Sequence, residues 1–307
     1  MSRTQATDGF NPKPGHPETV ATGIRRIVAP NPSPMTYRGT NTYLVGDTEL
    51  AVIDPGPAFE AHLNAVLAAC QAGQTISHIL VSHSHLDHSP LAKRLRDETG
   101  AQIYAFGGAG AGRSAIMQDL ALTGSAGGGE GIDHSFACDH CLEDGEILRG
   151  ADWQIEALHT PGHIGNHLCF ALGDILFSGD HVMGWASSLV SPPDGDLTDF
   201  MASCRKLQQR EWSLFLPGHG APVASPLARL DWLIAHRLER ERAVLAQLRS
   251  APATAADLAR EIYKDTPAAL LPAAERNVFA HLVDLTQRQQ IQPDGPLAFS
   301  ATFICVD

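Results

Sequence analysis

Four side chains that can ligate a metal ion fall within the six residues His83-Ser84-His85-Leu86-Asp87-His88. They directly follow residues 79–81, an apolar run typical of a strand. Imidazole nitrogens and a carboxylate oxygen suit a borderline cation such as zinc. A turn at the end of a strand can aim His83 and His85 at one ion, with Asp87 and His88 facing a neighbouring position. The cluster therefore favours a metal-centred hydrolase over a polar loop that happens to be rich in histidine.

Three further ligand candidates follow other short apolar segments, at residues 155–158, 175–177 and 214–216. They are His163 in His-Thr-Pro-Gly-His, Asp180 in Ser-Gly-Asp-His and His219 in Pro-Gly-His-Gly. A glycine beside each one lets the backbone turn sharply and come close to an ion. Ligands at the ends of several strands converge on one edge of a sheet, so these side chains are expected to meet the cluster at 83–88.

These motifs, taken together, resemble those of the metallo-β-lactamase fold superfamily. The similarity covers roughly residues 20–225 and includes Gly39-Thr40-Asn41-Thr42-Tyr43-Leu44-Val45 and Val52-Ile53-Asp54-Pro55-Gly56. Within the superfamily, the chain is most similar to lactamase-β-like proteins with a C-terminal helical extension, some of which are endoribonucleases. Residues 32–36 and the tail after residue 225 carry this narrower similarity. The resemblance implies an α/β fold of the αββα four-layer type, with two sheets inside and helices outside.

The resemblance also implies a binuclear centre. His83, His85 and His163 would hold the first ion, Asp87, His88 and His219 the second, and Asp180 would bridge the two. Two zinc ions are expected, with manganese or iron as alternatives. Zinc lowers the pKa of bound water to about 7, and two-metal sites place their ions roughly 3.5–4 Å apart, so a hydroxide shared between them is the expected nucleophile. Asp87 is expected to be catalytic as well, by orienting this hydroxide and taking its proton.

Other polar side chains near these motifs receive supporting roles. His167 is expected to be catalytic, because related ribonuclease-like proteins carry a histidine at this place after the Thr-Pro-Gly-His turn. Four residues are expected to orient ligands or contact substrate: Asp54, Asn166, His181 and Trp185. Simple packing remains the alternative for His159, His167 and His181.

Composition bounds the class of protein. The 307 residues are 44% hydrophobic and 18% charged, which is typical of a soluble enzyme. No apolar run approaches the roughly 20 residues of a membrane span, and no basic and then apolar leader opens the chain, so a cytoplasmic protein without membrane association is expected. The net charge of −12 disfavours nucleic acid as a partner, except as an RNA substrate.

Two segments have open roles. Residues 106–135 are rich in glycine and predict a long loop with a short helix near 113–122, either covering the site or inserted without function. Cys138-Asp139-His140-Cys141 looks like half of a zinc knuckle, but no second cysteine pair matches it. Ordinary reduced thiols are therefore expected there.

The chain divides into three parts. Residues 1–19, rich in proline and glycine, predict a flexible arm; residues 20–225 predict the catalytic domain; and residues 226–307 predict a small helical, winged-helix-like domain. Strands are expected at 24–28, 41–45, 50–53, 76–82, 102–105 and 297–304, and helices at 58–71, 90–99, 226–249, 254–262 and 275–289. Ser225 is expected to cap the helix at 226–249. Most of one apolar stripe on this helix is formed by Leu227, Leu230, Ile234, Leu238, Leu245 and Leu248. Residues 251–307 hold four basic and seven acidic side chains, so we expect this domain to stabilise the protein or join a homodimer rather than to read DNA.

The sequence thus predicts a zinc-dependent hydrolase of a small ester, thioester, lactone or related acyl substrate. Two alternatives remain open at this point. One is an endoribonuclease or phosphodiesterase of the lactamase-β-like type, because the same two-metal centre cleaves phosphodiesters. The other is a metal-binding interaction module without catalysis.

Overall fold

The first half of the chain forms a seven-stranded sheet whose strands follow the same order in space as in sequence. The computed structural model describes residues 9–129 and 131–306. Antiparallel pairing joins the first four strands, and parallel pairing joins the last four. The strands are β1 (Glu18–Ala21), β2 (Ile24–Val28), β3 (Asn41–Val45), β4 (Glu49–Ile53), β5 (Thr75–Leu80), β6 (Gln102–Ala105) and β7 (His140–Cys141).

A second sheet of five strands, in the order β12-β11-β10-β9-β8, packs on the first. Its strands are β8 (Ile147–Arg149), β9 (Gln154–His159), β10 (Leu168–Leu172), β11 (Ile175–Gly179) and β12 (Leu214–Pro217). Only β11 and β12 pair in parallel, with a helix crossing between them, so both strands deliver their carboxyl ends to the same edge.

Successive side chains of a strand point to opposite faces of its sheet, so each sheet packs against a different layer on either face. On β3, Leu44 faces the helices α1 (Glu60–Ala68) and α2 (Leu91–Thr99), whereas Tyr43 and Val45 face the second sheet. The far side of the second sheet, including Leu176, packs on α4 (Leu197–Gln208) and α5 (Pro226–Ser250). Three apolar cores between four layers confirm the predicted αββα sandwich.

The C-terminal unit follows α5 and has its own core. It contains α6 (Ala255–Ile262), a 3-10 turn at Ala268–Leu270, α7 (Leu271–Gln287) and the short strands β13 (Ala253–Thr254), β14 (Ile291–Pro293) and β15 (Thr302–Cys305). Met117 and Leu120 of α3 (Ala115–Thr123) enter this core, so the long glycine-rich segment binds the C-terminal unit to the sandwich.

Several local predictions need correction. Helix α4 was not predicted, although Asp196 caps it by accepting from the backbone N–H of Thr198 and Asp199. Ser225 makes no side-chain capping bond at the start of α5. On α5 the predicted apolar stripe includes Leu227 and Leu238, but these are 59% and 40% exposed.

Residues 9–19 run along the first sheet. Phe10 is buried, and the Gly15 N–H donates to the carbonyl of Val28 at 2.9 Å. The predicted flexible arm therefore does not describe this segment, and its remainder, residues 1–8, lies outside the described residues. Among the helices of residues 9–129 and 131–306, none has the length and apolarity needed to cross a membrane.

Candidate metal centre

The loop that follows β5 carries the first group of converging imidazoles. His83 Nε2 lies 2.8 Å from His85 Nδ1, and His163 Nε2, from the loop after β9, lies 3.1 Å from the same atom. One ligand atom from each of the three residues lies within 4.8 Å of the others. The spacing of these nitrogens around one point is that of three ligands to a single ion.

A second group lies beside the first. His219, at the end of β12, places Nε2 3.0 Å from Asp87 Oδ2 and 3.3 Å from His88 Nε2. Ligand atoms of Asp87, His88 and His219 likewise lie within 4.8 Å of one another. The structure thus brings together six of the seven predicted ligands as two adjacent sets.

Asp180, after β11, stands between the two sets. Its Oδ2 lies 3.3 Å from His219 Nε2 and 3.9 Å from His163 Nε2, and its Oδ1 lies 3.6 Å from His88 Nε2. One carboxylate therefore faces ligands of both sets, as a bridge must.

Glycine at position 218 makes room for this carboxylate. A Cβ there would lie 2.4 Å from Asp180 Oδ1 and 2.8 Å from His88 Cε1. Asp180 Oδ1 is itself buried without a hydrogen-bond partner. A buried, unsatisfied carboxylate oxygen among imidazole nitrogens is explained by a cation, and the donor set of histidines and aspartates fits zinc.

The electrostatics differ between the two sets. In the first, burial and the neighbouring histidines lower the pKa of His83 well below its usual value, and burial and His163 lower that of His85 to about 3. These rings are therefore neutral at pH 7, which is the form that ligates a metal.

In the second set, carboxylates overcome the effect of burial. Burial lowers the pKa of His219, but Asp180 and Asp87 raise it to about 9. Burial likewise raises the pKa of Asp180, whereas His219 and His88 hold it well below its usual range. Without a metal this cluster carries protons on imidazoles that ion binding would displace.

Asp54 supports the second set through a hydrogen bond with His88. Its Oδ2 lies 2.9 Å from His88 Nδ1, and its Oδ1 accepts from the Ser82 backbone N–H at 2.7 Å. The residue adopts φ +52°, in the left-handed region, which lets it turn back towards the loop that begins at Ser82. This carboxylate fixes the ring so that Nε2 of His88 points at the site.

His167 lies behind Asp180 and is fully buried. Its Nε2 accepts from the Asp180 backbone N–H at 3.2 Å, and its Nδ1 lies 3.0 Å from Thr160 Oγ1. With both ring nitrogens engaged inside the protein, its contacts are those of a residue that positions Asp180. The predicted catalytic role for His167 stays a prediction.

The remaining predicted residues surround the centre. Asn166 Nδ2 donates to Ser84 Oγ at 2.9 Å and so ties the turn after β9 to the 83–88 loop. His181 is buried with Nε2 3.5 Å from Cys204 Sγ, and His159 stacks on Phe106, so both rings pack away from the ligands. Trp185 stacks on Tyr37 with ring centroids 5.0 Å apart and packs against Gly220, next to the predicted ligand His219.

Asp87 marks the open side of the centre. Its side chain is 26% exposed, whereas those of His88, His163, Asp180 and His219 are 10% exposed or less. Leu86 beside it is 52% exposed. His85 is also partly exposed, so the centre is open on the side of His85 and Asp87, which suits a residue expected to orient the attacking group.

Sequence reasoning missed the backbone and side-chain contacts that hold the outer ligands. His163 Nδ1 donates to the carbonyl of Leu189 at 2.7 Å, and Ser188 Oγ donates to the carbonyl of Asp180 at 2.5 Å. Arg237 of α5, which is buried, donates to the Ser188 carbonyl in turn. The one available signal was an arginine four residues after the apolar Leu233 on the buried side of a helix.

Comparison with known proteins agrees with the geometry. Residues 35–219 match the metallo-beta-lactamase superfamily, and residues 254–296 match the beta-lactamase associated winged helix domain. A beta-lactamase-like protein 2 homolog of Drosophila melanogaster is 30% identical over 288 residues, covering 89% of this chain and 91% of that protein. An atrochrysone carboxyl ACP thioesterase of Claviceps purpurea is 28% identical over 259 residues, covering 81% and 74% respectively.

Solved structures show the same fold. A beta-lactamase domain protein from Burkholderia ambifaria superposes with a TM-score of 0.79 at 20% identity, covering 99% of this chain and 97% of that one. A metallo-beta-lactamase family protein from Thermus thermophilus gives 0.75 at 24% identity, covering 94% and 100%. With the family match over residues 35–219, the winged helix match and the seven predicted ligands gathered at the sheet edge, this chain belongs to the metallo-beta-lactamase superfamily.

Proposed function

We propose that this hydrolase of the metallo-beta-lactamase superfamily uses two zinc ions to cleave an acyl thioester. The observation that carries the proposal is the position of Asp180, whose two oxygens face ligands of both sets. Seven ligands are too many for one tetrahedral ion. Relatives named as acyl carrier protein thioesterases favour a thioester among the acyl substrates.

The residues of the chain divide the work between them. When bound, zinc would supply a water of lowered pKa and polarise the scissile carbonyl. Asp87, at the open side, orients the attacking water and takes its proton. His167 and Ser188 hold Asp180 from behind through its backbone N–H and carbonyl, so the carboxylate stays in place as charge develops.

The alternatives receive less support. A nucleic-acid substrate is disfavoured by the net charge of −12, and an interaction module without catalysis is disfavoured by the open approach past Asp87.

Metal content and a substrate panel test the proposal. Protein purified without chelator should contain about two zinc ions per chain, and its kcat/KM for simple acyl thioesters should exceed that for β-lactams, phosphodiesters and RNA. Chelation should abolish hydrolysis, and zinc should restore it. A His236→Ala variant, changed on α5 away from the predicted ligands, should keep its zinc content and its activity. A zinc content near zero after supplementation, or RNA as the best substrate, would contradict the proposal.

A further inference from the structure

Two cysteines at the edge of the first sheet lie nearly in bonding distance. The Sγ atoms of Cys138 and Cys141 are 3.2 Å apart and share a hydrogen bond. Cys141 belongs to the edge strand β7 and pairs with Ala105, while Cys138 rests partly buried against the first apolar core. A disulfide bond is about 2.05 Å long, so a shift of about 0.6 Å by each sulfur would close it.

A metal ion is a poor occupant of this pair. Within residues 9–129 and 131–306, every group of three clustered ligands belongs to the centre at the sheet edge, and none includes Cys138 or Cys141. His140, which lies between the cysteines in sequence, has its Nε2 2.8 Å from Glu146 Oε1 instead. Two thiols without a third or fourth ligand do not make a zinc site.

The two thiols differ in access. Cys141 is exposed, whereas Cys138 is half-buried. Burial, and then the neighbouring Cys141 thiol, raise the pKa of Cys138 to about 12. Cys141 is therefore the sulfur that an outside reagent reaches first, and Cys138 is the sulfur placed to react second.

We propose that Cys138 and Cys141 form a reversible thiol–disulfide site that exchanges with small-molecule disulfides. The Cys141 thiolate attacks one sulfur of the reagent, which breaks the reagent's S–S bond and releases one thiol carrying the proton that Cys141 lost. Cys138 then gives up its proton and attacks the Cys141 sulfur, and the second reagent thiol leaves with that proton. Two protein thiols are oxidised and one small disulfide is reduced to two thiols.

The first step of the exchange favours the second. Once Cys141 is in a mixed disulfide, it no longer holds Cys138 in its thiol form by a hydrogen bond. The backbone N–H groups of Cys138 itself and of Ala105 lower the pKa of Cys138 and remain in place to stabilise its thiolate. Attack then requires only a short movement of a sulfur already in contact.

The pair sits at the end of the glycine-rich segment that touches the metal loop. Asp133 in this segment accepts from Ser89 Oγ at 2.9 Å, and its backbone N–H donates to the carbonyl of Ser84. A disulfide would fix the backbone just after these contacts. The closed ring spans so few residues that its effect on global stability should be small.

Mass spectrometry of the full-length, zinc-supplemented protein tests the site. Reduced protein incubated with oxidised glutathione should lose two hydrogens, with Cys138 and Cys141 joined in one peptide, and reduced glutathione should reverse the change. The Cys138→Ser variant should instead keep a stable glutathione adduct on Cys141. The Cys141→Ser variant should react at least about tenfold more slowly at Cys138. The Cys70→Ser variant, altered at another half-buried cysteine, should behave as the unsubstituted protein.

Three results would overturn the proposal. In one, Cys138 and Cys141 stay reduced while Cys70 or Cys305 is oxidised. In another, the unsubstituted protein accumulates a lasting glutathione adduct on Cys141 without forming the internal bond. In the third, the Cys138→Ser variant contains less zinc than the unsubstituted protein, which would make the pair a metal site.

Discussion

Arg237 of α5 donates a hydrogen bond to the backbone carbonyl of Ser188, whose hydroxyl donates to the carbonyl of Asp180. The same guanidinium donates to Asn277 Oδ1 at 2.9 Å, and that oxygen also accepts from the Val190 N–H at 3.1 Å. A buried cation thus makes its hydrogen bonds to a carbonyl and an amide oxygen. Through these bonds, α5 and α7 hold the 188–190 segment, which contacts the predicted ligands Asp180 and His163.

Replacing this arginine should weaken the centre without touching a ligand. Arg237→Met leaves the Ser188 carbonyl without this donor, at a cost of about 1–3 kcal/mol, while Asn277 Oδ1 keeps only the Val190 N–H. We expect lower zinc retention under chelator competition and a fall in kcat larger than the rise in KM. The control is Arg242→Met, on the exposed side of the same helix. Equal zinc retention in the two variants would show that Arg237 only packs.

Gly218→Ala should disturb the site because the added methyl group needs space that the Asp180 carboxylate occupies. The added Cβ would lie 2.4 Å from Asp180 Oδ1, and the backbone at this position does not require glycine, since its φ lies outside the left-handed region. We expect a folded protein with reduced zinc content and greatly reduced hydrolysis. Gly184→Ala is the control, because its Cβ meets Val223 Cγ2 only at 3.3 Å. Normal zinc content in Gly218→Ala would contradict the placement of Asp180.

Asp180→Ala should lose more activity than His167→Ala. The carboxylate faces both ligand sets, whereas the imidazole reaches the centre only through the backbone of Asp180. Loss of a supporting contact typically lowers activity or metal affinity about 10–100-fold. We therefore expect a loss of activity in that range for His167→Ala and a larger loss for Asp180→Ala. Steady-state kinetics and zinc analysis measure both. If His167→Ala were the worse variant with its zinc intact, His167 would act on substrate.

Asp199 in the first turn of α4 should make stability depend on pH. Burial and the nearby Asp196 raise its pKa from 3.8 to about 6. The stability that comes from its tighter proton binding is present below pH 3.8 and is lost as pH rises through 6. Asp199→Asn should therefore raise the free energy of unfolding at pH 8 by up to about 1 kcal/mol, since partial exposure screens the charge, and should change it little at pH 4.

Urea denaturation at both pH values measures this difference. Favourable interaction of the carboxylate with the N-terminal end of α4 acts in the opposite direction. A loss of stability in Asp199→Asn at pH 8 would mean that the helix dipole outweighs burial at this position.

The winged helix unit should not bind DNA tightly. Helix α7 has Phe279 and Leu282 in the core of its own unit, while Asn277 on another side contacts Val190 of the catalytic unit. A helix enclosed in this way cannot enter a major groove, and the unit is acidic. Fluorescence anisotropy at near-physiological salt should show no submicromolar binding. Tight binding that weakens steeply with salt would revive a nucleic-acid function.

The predicted ligands meet in the structure because each lies in a loop that follows a short strand. A strand end fixes where the next two or three side chains point, so the sequence alone places His83, His163 and His219 at one edge of a sheet. The contacts that hold the predicted ligands could not be predicted from the sequence, because a backbone carbonyl such as that of Leu189 is present whatever the residue type. Arg237 acts on a segment 49 residues away, and only tertiary packing brings the two together.

The helices, too, could be predicted from the sequence only in part. Apolar periodicity located α5 but predicted its buried stripe only in part, since Leu230 and Leu248 are buried whereas Leu227 is 59% exposed. Arg237, which is buried, was not predicted. The buried side of a long helix depends on the elements that pack against it, and α4 and α7 pack against α5. Turn geometry similarly decides that His167, only four residues from a ligand, faces inward.

The metal ligands are spread from His83 to His219, and the hydrogen bonds that hold them extend to Arg237 and Asn277. A ribosome releases the chain from its N-terminus, so the early histidines emerge long before their partners. Ions met at that stage would find only the incomplete cluster at residues 83–88. The complete set of predicted ligands therefore exists only after His219 has been synthesised, and its support by Arg237 and Asn277 only after α7 has docked. A chain cut short before α7 would keep every ligand and still lack part of the frame that holds them.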